Sequence, residues 1–199
     1  MSPLSELFSR VWDAIEASLE PVKRPRCAPD GIAGAADPFE SPVDRFPVSA
    51  QLECALAAAE RSGQGVIAKR LRAAGNLLPW SQNASYAEAK LGHHFLDNYV
   101  SGMLTGPDGN LARDAPCSGF LLLGPGTEYP QHSHGPAEVY LVLTPGSEWR
   151  LDGTRWFGVE AGQVIHHAPW QNHAMRTHDT PMLAFAAWLD DGDRRAISI

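Results

Sequence analysis

The chain has 199 residues, of which 44% are hydrophobic and 20% charged, and 23 Asp and Glu outnumber 16 Lys and Arg. This balance is typical of a globular protein and excludes wholesale disorder, while the net charge of −7 argues against nucleic acid as a partner. No apolar run is long enough for a membrane span, and acidic and basic residues near the N-terminus exclude a secretory signal. We therefore expect a cytoplasmic protein with no membrane partner.

The first predicted element is an amphipathic helix over residues 2–20. Its apolar residues follow the three-four spacing that gathers them on one helix face. Ser2 supplies a capping oxygen, Pro3 occupies the first helical position, and Pro21 ends the helix. The apolar face can pack on its own domain or form the contact of a possible homodimer.

Residues 21–48 are rich in proline and glycine and predict a long irregular connection. Helical patterns return over residues 49–104. The last of them begins at a capping-box pattern at Ser85 and carries an apolar stripe as far as Met103. Residues 1–115 are therefore predicted to be a helical N-terminal extension that packs on the second half as a lid.

Residues 116–199 have a different sequence pattern, in which short apolar runs are separated by glycine and proline. Asp152-Gly153 is a strong signal for a tight hairpin turn. Many short strands at this spacing predict a small β-sandwich or barrel, so the chain is expected to be mainly β with a helical half in front. The predicted strands are 120–123, 139–143, 149–151, 154–157, 163–165 and 182–189.

Five of the eight histidines lie between residues 132 and 173, and the first two belong to the most informative segment. Residues two apart in a strand share a face. His132, His134, Glu138 and Tyr140 all have even numbers, so an unbroken strand would point all four side chains the same way. Gly135-Pro136 can disturb that register.

His173 completes the candidate site, because a neighbouring strand can return it to the same cavity. Two or three imidazoles with one carboxylate suit one divalent transition metal ion, such as Zn²⁺, Fe²⁺, Mn²⁺ or Co²⁺. The competing interpretation is a set of unrelated surface histidines, which the ordered spacing of His132, His134 and Glu138 makes poor.

These residues resemble the two motifs of the cupin superfamily. The first motif is carried by Gly126, His132, His134, Glu138 and Gly146, and the second by Gly162, Pro169 and His173. The resemblance covers about residues 118–190 and implies a single small β-barrel, the double-stranded β-helix, that holds a metal ion. It says little about the reaction, because cupins carry many chemistries.

A narrower resemblance is to the cupin dimethylsulfoniopropionate (DMSP) lyases of the DddQ type. It is carried by Tyr129-Pro130, the His132 to Tyr140 pattern and Pro169-Trp170-Gln171-x-His173. It implies His134, Glu138, Tyr140 and His173 as metal ligands, His132 as a ligand or a residue lining the site, and Tyr129 or Tyr140 as the base.

The chemistry of DMSP suits such a site. The zwitterion loses a proton next to its carboxylate and expels dimethyl sulfide, leaving acrylate. A metal on the carboxylate stabilises the developing charge, a nearby tyrosine becomes acidic enough to act as base, and aromatic faces suit the sulfonium. Candidate aromatic residues for substrate binding are Trp80, Tyr86, Tyr99, Trp170 and Trp188.

Two other functions stay open at this point. The same His and Glu set can hold Fe²⁺ in a cupin dioxygenase, although Tyr140 as a fifth inward donor would crowd the positions for O₂. A non-catalytic ligand-binding cupin is the third possibility, disfavoured as a sensor because no DNA-binding helix pair or basic patch accompanies the barrel. His93 and His94 can support the metal ligands from outside the site. Alternatively, one of them is exposed to solvent and the other only packs.

Overall fold

The computed structural model describes residues 2–18, 43–88, 91–111 and 115–189. Most of the predicted irregular connection at 21–48 lies outside these residues. The α-helices are α1 (Pro3–Ser18), α2 (Leu52–Ala59), α3 (Gly65–Ala74), α4 (Ala84–Glu88) and α5 (Gly92–Asp97). Three 3₁₀ turns at Val43–Arg45, Pro47–Gln51 and Gly75–Leu77 and a π turn at Glu60–Gln64 connect or extend them. None of the described helices is both long and apolar enough to cross a membrane.

In the described part of the chain, ten strands form two antiparallel sheets. The strands are β1 (Trp80–Ser81), β2 (Tyr99–Thr105), β3 (Ser118–Leu123), β4 (Glu128–His132), β5 (Glu138–Val142), β6 (Ser147–Leu151), β7 (Phe157–Val159), β8 (Val164–His167), β9 (His173–Arg176) and β10 (Met182–Trp188). The larger sheet has the order β1-β2-β3-β10-β5-β8, and the smaller has the order β4-β9-β6-β7. The prediction of a mainly β fold with helices in the N-terminal half is confirmed.

The larger sheet separates two apolar cores. Strand β3 shows why, because Phe120 and Leu122 point to one face and Leu121 and Leu123 to the other. The first face packs against α1, α2 and α3, and we call this the outer core. The second face packs against the smaller sheet, and we call this the inner core. The candidate site lies on the inner side.

Helix α1 belongs to the outer core. The backbone N–H of Ser5 donates to Ser2 Oγ at 3.2 Å, so the predicted cap is confirmed. The apolar face is buried within the chain, and the Trp12 ring meets Phe185 of β10 edge-on at 6.3 Å. That face is therefore already covered, and it provides no argument for a homodimer, which stays a prediction.

The predicted helix from Ser85 to Met103 is only partly correct, since α4 and α5 lie within its first part and a strand replaces its end. Asn83 caps α4 instead, since its Oδ1 accepts the N–H of Ser85 at 3.0 Å. Residues from Tyr99 onward form β2, in which alternate side chains face the two cores. The apolar stripe contains a two-residue repeat as well as a helical one, and pairing with β3 selects the strand. The predicted domain boundary at 115/116 stays a prediction. Strands β1 and β2 precede that boundary but belong to the larger sheet.

The other strand predictions need only small changes. The strand expected at 154–157 begins at Phe157, because the chain turns through Asp152 and Gly153 with positive φ values of 50° and 68°. Those two values are the signature of the predicted tight hairpin turn. Strands β4 and β9 are not among the predicted strands, although His132 and His173 are expected to lie in strand geometry.

Candidate active site

The candidate site lies where the two sheets face each other. His132 ends β4 and pairs across the smaller sheet with His173, the first residue of β9. The chain then leaves that sheet, passes through His134 and enters the larger sheet at Glu138. Gly135-Pro136 carries the chain from one sheet to the other, so the unbroken strand considered for His132 to Tyr140 does not form, although the fold still brings these side chains to one place.

Glu138 is the centre of the cluster. Its Oε2 lies 3.0 Å from His134 Nε2 and 3.5 Å from His173 Nε2. The candidate ligand atoms of these three buried residues all lie within 4.8 Å of one another. His132 is outside this group, and its ring lies 4.1 Å from the His173 ring, so it lines the site.

The backbone fixes which nitrogen of each ring faces the centre. The Nδ1–H groups of His132, His134 and His173 donate to the carbonyl oxygens of Pro130, Pro136 and Gln171, each at 2.9 Å. In His132 and His173, Nε2 is then left as a lone pair, which is the form that ligates a metal, whereas Nε2 of His134 faces the Glu138 carboxylate.

This arrangement fits a divalent cation. His173 Nε2 is buried and has no hydrogen-bond partner among the described residues, although it faces the Glu138 carboxylate. A lone pair that faces an anion is repulsive unless a positive charge lies between them. Imidazole and carboxylate donors suit several first-row ions, so the donor set fits a metal without selecting one.

The charges at the site support the same conclusion. Burial would raise the pKa of Glu138, but hydrogen bonds from His134 and His167 and the charge of His134 outweigh it and hold that pKa far below its usual range. Burial lowers the pKa of His132 to about 4 and that of His173 to about 2. Burial also opposes charge on His134, but its contact with Glu138 prevails and raises its pKa. A carboxylate and neutral imidazoles are the forms that metals bind, so a metal would have to displace the proton that Glu138 favours on His134.

A cavity of about 390 Å³ opens onto this cluster. Its aromatic lining includes Tyr86, Tyr99, Tyr129, Tyr140 and Trp188. Among the described lining residues, Asp108 and Glu138 are the carboxylates and there is no Lys or Arg. A ligand carboxylate therefore finds no Lys or Arg in this part of the cavity, and a metal at the histidine cluster would be its natural partner.

Three tyrosine hydroxyls meet in the cavity wall. The hydroxyls of Tyr86 and Tyr129 form a buried hydrogen bond, and Tyr99 lies against both rings at 5.4 and 5.5 Å. The Tyr129 ring stacks on His132 at 4.2 Å. Burial raises the pKa of Tyr129 and of Tyr140 well above the usual value, and neighbouring tyrosines or the Glu138 charge add to it. A positive charge is needed before either phenol can act as a base.

Two of the predicted aromatic residues lie away from the cavity. Trp80 belongs to the outer core, where its indole N–H donates to the Gly75 carbonyl at 3.0 Å. Trp170 is 51% exposed and is not among the cavity-lining residues, because the turn that leads to His173 directs it to the surface. Helices α1–α3 lie on the opposite face of the larger sheet from the cavity, whereas the segment that carries Tyr86 lies on the cavity side. The lid stays a prediction, and it concerns that segment.

The structure adds one site residue that the sequence did not single out. His167 pairs with Glu138 across β5 and β8, and its Nδ1 lies 3.3 Å from Glu138 Oε2. Strand parity with buried Ile165 is the sequence signal that could have selected it over exposed His166. His94 lies elsewhere, with its Nε2 3.1 Å from the Gly126 carbonyl, and the side chain of His93 is exposed.

Comparisons with known proteins agree with this arrangement. A sequence profile of the dimethylsulfoniopropionate lyase family matches residues 32–184. The dimethylsulfoniopropionate lyase DddQ of Ruegeria pomeroyi is 29% identical over 119 residues, which are 60% of this chain and 58% of that protein. The matches span about three fifths of the length of such relatives.

Solved structures show the same fold over nearly the whole chain. One, described among crystal structures of the DMSP lyases RdDddP and RnDddQII, has a TM-score of 0.70 and 25% identity over 99% of this chain and 97% of that one. The crystal structure of DMSP lyase DddQ from Ruegeria pomeroyi DSS-3 has a TM-score of 0.69 and 22% identity over 100% of this chain and 97% of that one.

Proposed function

Because this chain belongs to the dimethylsulfoniopropionate lyase family, we propose that it cleaves DMSP to dimethyl sulfide and acrylate by β-elimination. The observation that carries the proposal is the buried group of His134, Glu138 and His173 beside a tyrosine-lined cavity. Zn, Fe, Mn and Co are the candidate ions. A homodimer and a cytoplasmic location stay predictions of the sequence.

The metal would be held by His134, Glu138 and His173, with Tyr140 as the proposed fourth ligand. A bound divalent cation supplies Lewis-acid stabilisation of charge on the substrate carboxylate and lowers the pKa of a nearby phenol. Tyr140 lies near Glu138, and the Glu138 charge is one cause of its raised pKa. That proximity supports Tyr140 at the metal.

Tyr129 is the proposed base, with Tyr140 as the alternative. Its phenolate oxygen would remove the proton from the carbon next to the carboxylate. The electron pair of that C–H bond forms the double bond of acrylate, and the C–S pair leaves on sulfur as neutral dimethyl sulfide. The hydroxyl of Tyr86, which is hydrogen-bonded to Tyr129, would hold the basic oxygen in place.

The leaving group accounts for the aromatic lining. A dimethylsulfonium cation has no N–H or O–H to donate, so aromatic faces bind it better than hydrogen-bond acceptors do, at about 0.5–2 kcal/mol for each contact. Tyr86, Tyr99 and Trp188 line the cavity, and the Trp188 ring lies 5.2 Å from that of His134. This proximity supports a role for Trp188 in binding the substrate beside the metal group.

The experiment that tests the proposal measures dimethyl sulfide in the headspace, acrylate in solution and dissolved oxygen with the same samples. The protein is treated with chelator, reloaded with one of the four ions and mixed with DMSP. Equal amounts of dimethyl sulfide and acrylate, formed only with metal and without oxygen uptake, are expected. Oxygen consumption without dimethyl sulfide would instead identify a cupin dioxygenase, and binding without turnover a ligand-binding cupin.

A further inference from the structure

His167 stands beside the candidate metal group without belonging to it. The side chain is fully buried at the end of β8, directly across from Glu138 in the sheet register. Its Nδ1 lies 3.3 Å from Glu138 Oε2. Yet His167 is not part of the set of ligand atoms that lie within 4.8 Å of one another. The ring therefore approaches the carboxylate and not the centre of the metal group.

The hydrogen bonding of His167 differs from that of its three neighbours. Those rings commit Nδ1 to a backbone carbonyl and turn Nε2 inward. For His167 the Nδ1 contact is to Glu138, and Nε2 is buried without a hydrogen-bond partner among the described residues. A proton on Nε2 would leave a buried donor unsatisfied and a lone pair against a carboxylate, so the proton belongs on Nδ1.

The ring is also held in one orientation. It stacks on His173 with the ring centres 3.9 Å apart and the planes 25° from parallel, and it lies 5.5 Å from the Tyr140 ring. Packing from two sides therefore holds the ring so that its Nδ1–H points at the Glu138 carboxylate. Such a donor restricts rotation of the Glu138 side chain and keeps its negative charge on the side of His134 and His173.

We propose that His167 is a positioning residue whose Nδ1–H holds the Glu138 carboxylate in its metal-binding orientation. The inference rests on the metal site of the proposed function, but it does not depend on the substrate. Outer hydrogen-bond partners of this kind affect metal affinity or activity by about 10–100-fold when they are removed. His167 would therefore act through Glu138, without contact to the substrate.

The test compares three substitutions that separate the two ring nitrogens. Asn places an N–H donor near the Nδ1 position, Gln places one near the Nε2 position, and Ala provides neither. Metal affinity is measured by competition with a coloured chelator, without DMSP. We expect His167→Asn to retain affinity within about threefold, and His167→Gln and His167→Ala to lose about 10–100-fold. His166→Asn, at the exposed neighbouring position, is the matched control and should match the unmodified protein.

The proposal fails if His167→Gln retains affinity and His167→Asn does not, since Nε2 would then be the important atom. It also fails if all three variants bind metal like the unmodified protein, which would leave His167 a packing role only. Nitrogen NMR of the unmodified, metal-loaded protein gives a second test that needs no folded variant. A proton on Nδ1 of His167 is expected, and a metal-bound Nδ1 or a protonated Nε2 would overturn the assignment. Because neither measurement uses DMSP, failure of the lyase proposal would be seen separately.

Discussion

The stability of the metal-free protein should decrease in acid because His132 is buried. This ring is 3% exposed, stacks on Tyr129 and touches His173. Burial lowers its pKa from 6.5 to about 4, against the opposing effects of the Pro130 carbonyl and the Glu138 charge. The folded protein therefore keeps His132 neutral at acidities where the unfolded chain binds a proton. The free energy of unfolding must fall as the pH decreases from 6.5 towards 4.

The size of the effect comes from this difference in pKa. Each unit of pKa difference corresponds to about 1.4 kcal/mol, so His132 accounts for about 3 kcal/mol over the whole window and about 1–2 kcal/mol between about pH 6.5 and about pH 5. His173, with a pKa lowered to about 2, adds a loss of the same sign. The pKa of His134 is raised, so its contribution is already present below pH 6.5 and is lost only at higher pH. Glu138 loses its contribution only at lower pH, because its pKa is lowered from 4.5.

Urea unfolding in the presence of chelator at the two pH values measures this directly. His132→Gln should have a pH dependence that is smaller than that of the unmodified protein by about 1–2 kcal/mol. Gln131→Ala, at the exposed preceding position, is the control and should retain the full dependence. If His132→Gln lost as much stability on acidification as the unmodified protein, the burial of a neutral His132 would be refuted.

Three further predictions address the site and the core. His134→Ala should lose bound metal and dimethyl sulfide release together, as measured by elemental analysis and headspace chromatography; retention of either would contradict its role as a ligand. Tyr129→Phe should keep the metal and lose turnover, whereas near-full activity in Tyr129→Phe with loss in Tyr140→Phe would transfer the role of base to Tyr140. Trp12→Ala should lower the free energy of unfolding by about 3–5 kcal/mol in urea titrations, because the ring is fully buried in the outer core; a change below about 1 kcal/mol would show that α1 is not docked as described.

The metal group could be predicted because its signals are local. His134 and Glu138 are four residues apart, and both lie in one short segment with His132. His173 follows after the hairpin that the turn residues Asp152-Gly153 predict, and it does pair with β4. Residue types with metal-ligand chemistry at such spacing restrict the interpretation strongly, even though the strand around His132 and Glu138 is interrupted at Gly135-Pro136.

What could not be predicted depends on pairing between distant segments. His167 reaches Glu138 through the register of β8 against β5, and no local pattern contains that register. Tyr99 reaches the cavity because β2 pairs with β3, whereas its apolar stripe fits a helix equally well. Trp80 belongs to the outer core for a similar reason, since β1 packs its ring against Gly102 of β2, where an added Cβ would lie 2.9 Å from the ring.

The most direct test of the central claim is a titration of the chelator-treated protein with the divalent ion that gives the fastest release of dimethyl sulfide from DMSP. The rate should rise linearly and stop rising at one ion per chain, and His173→Ala should show no such break. Release of dimethyl sulfide that is undiminished in the chelated protein, or that is unaffected by His173→Ala, would contradict a lyase whose single metal is held by His134, Glu138 and His173.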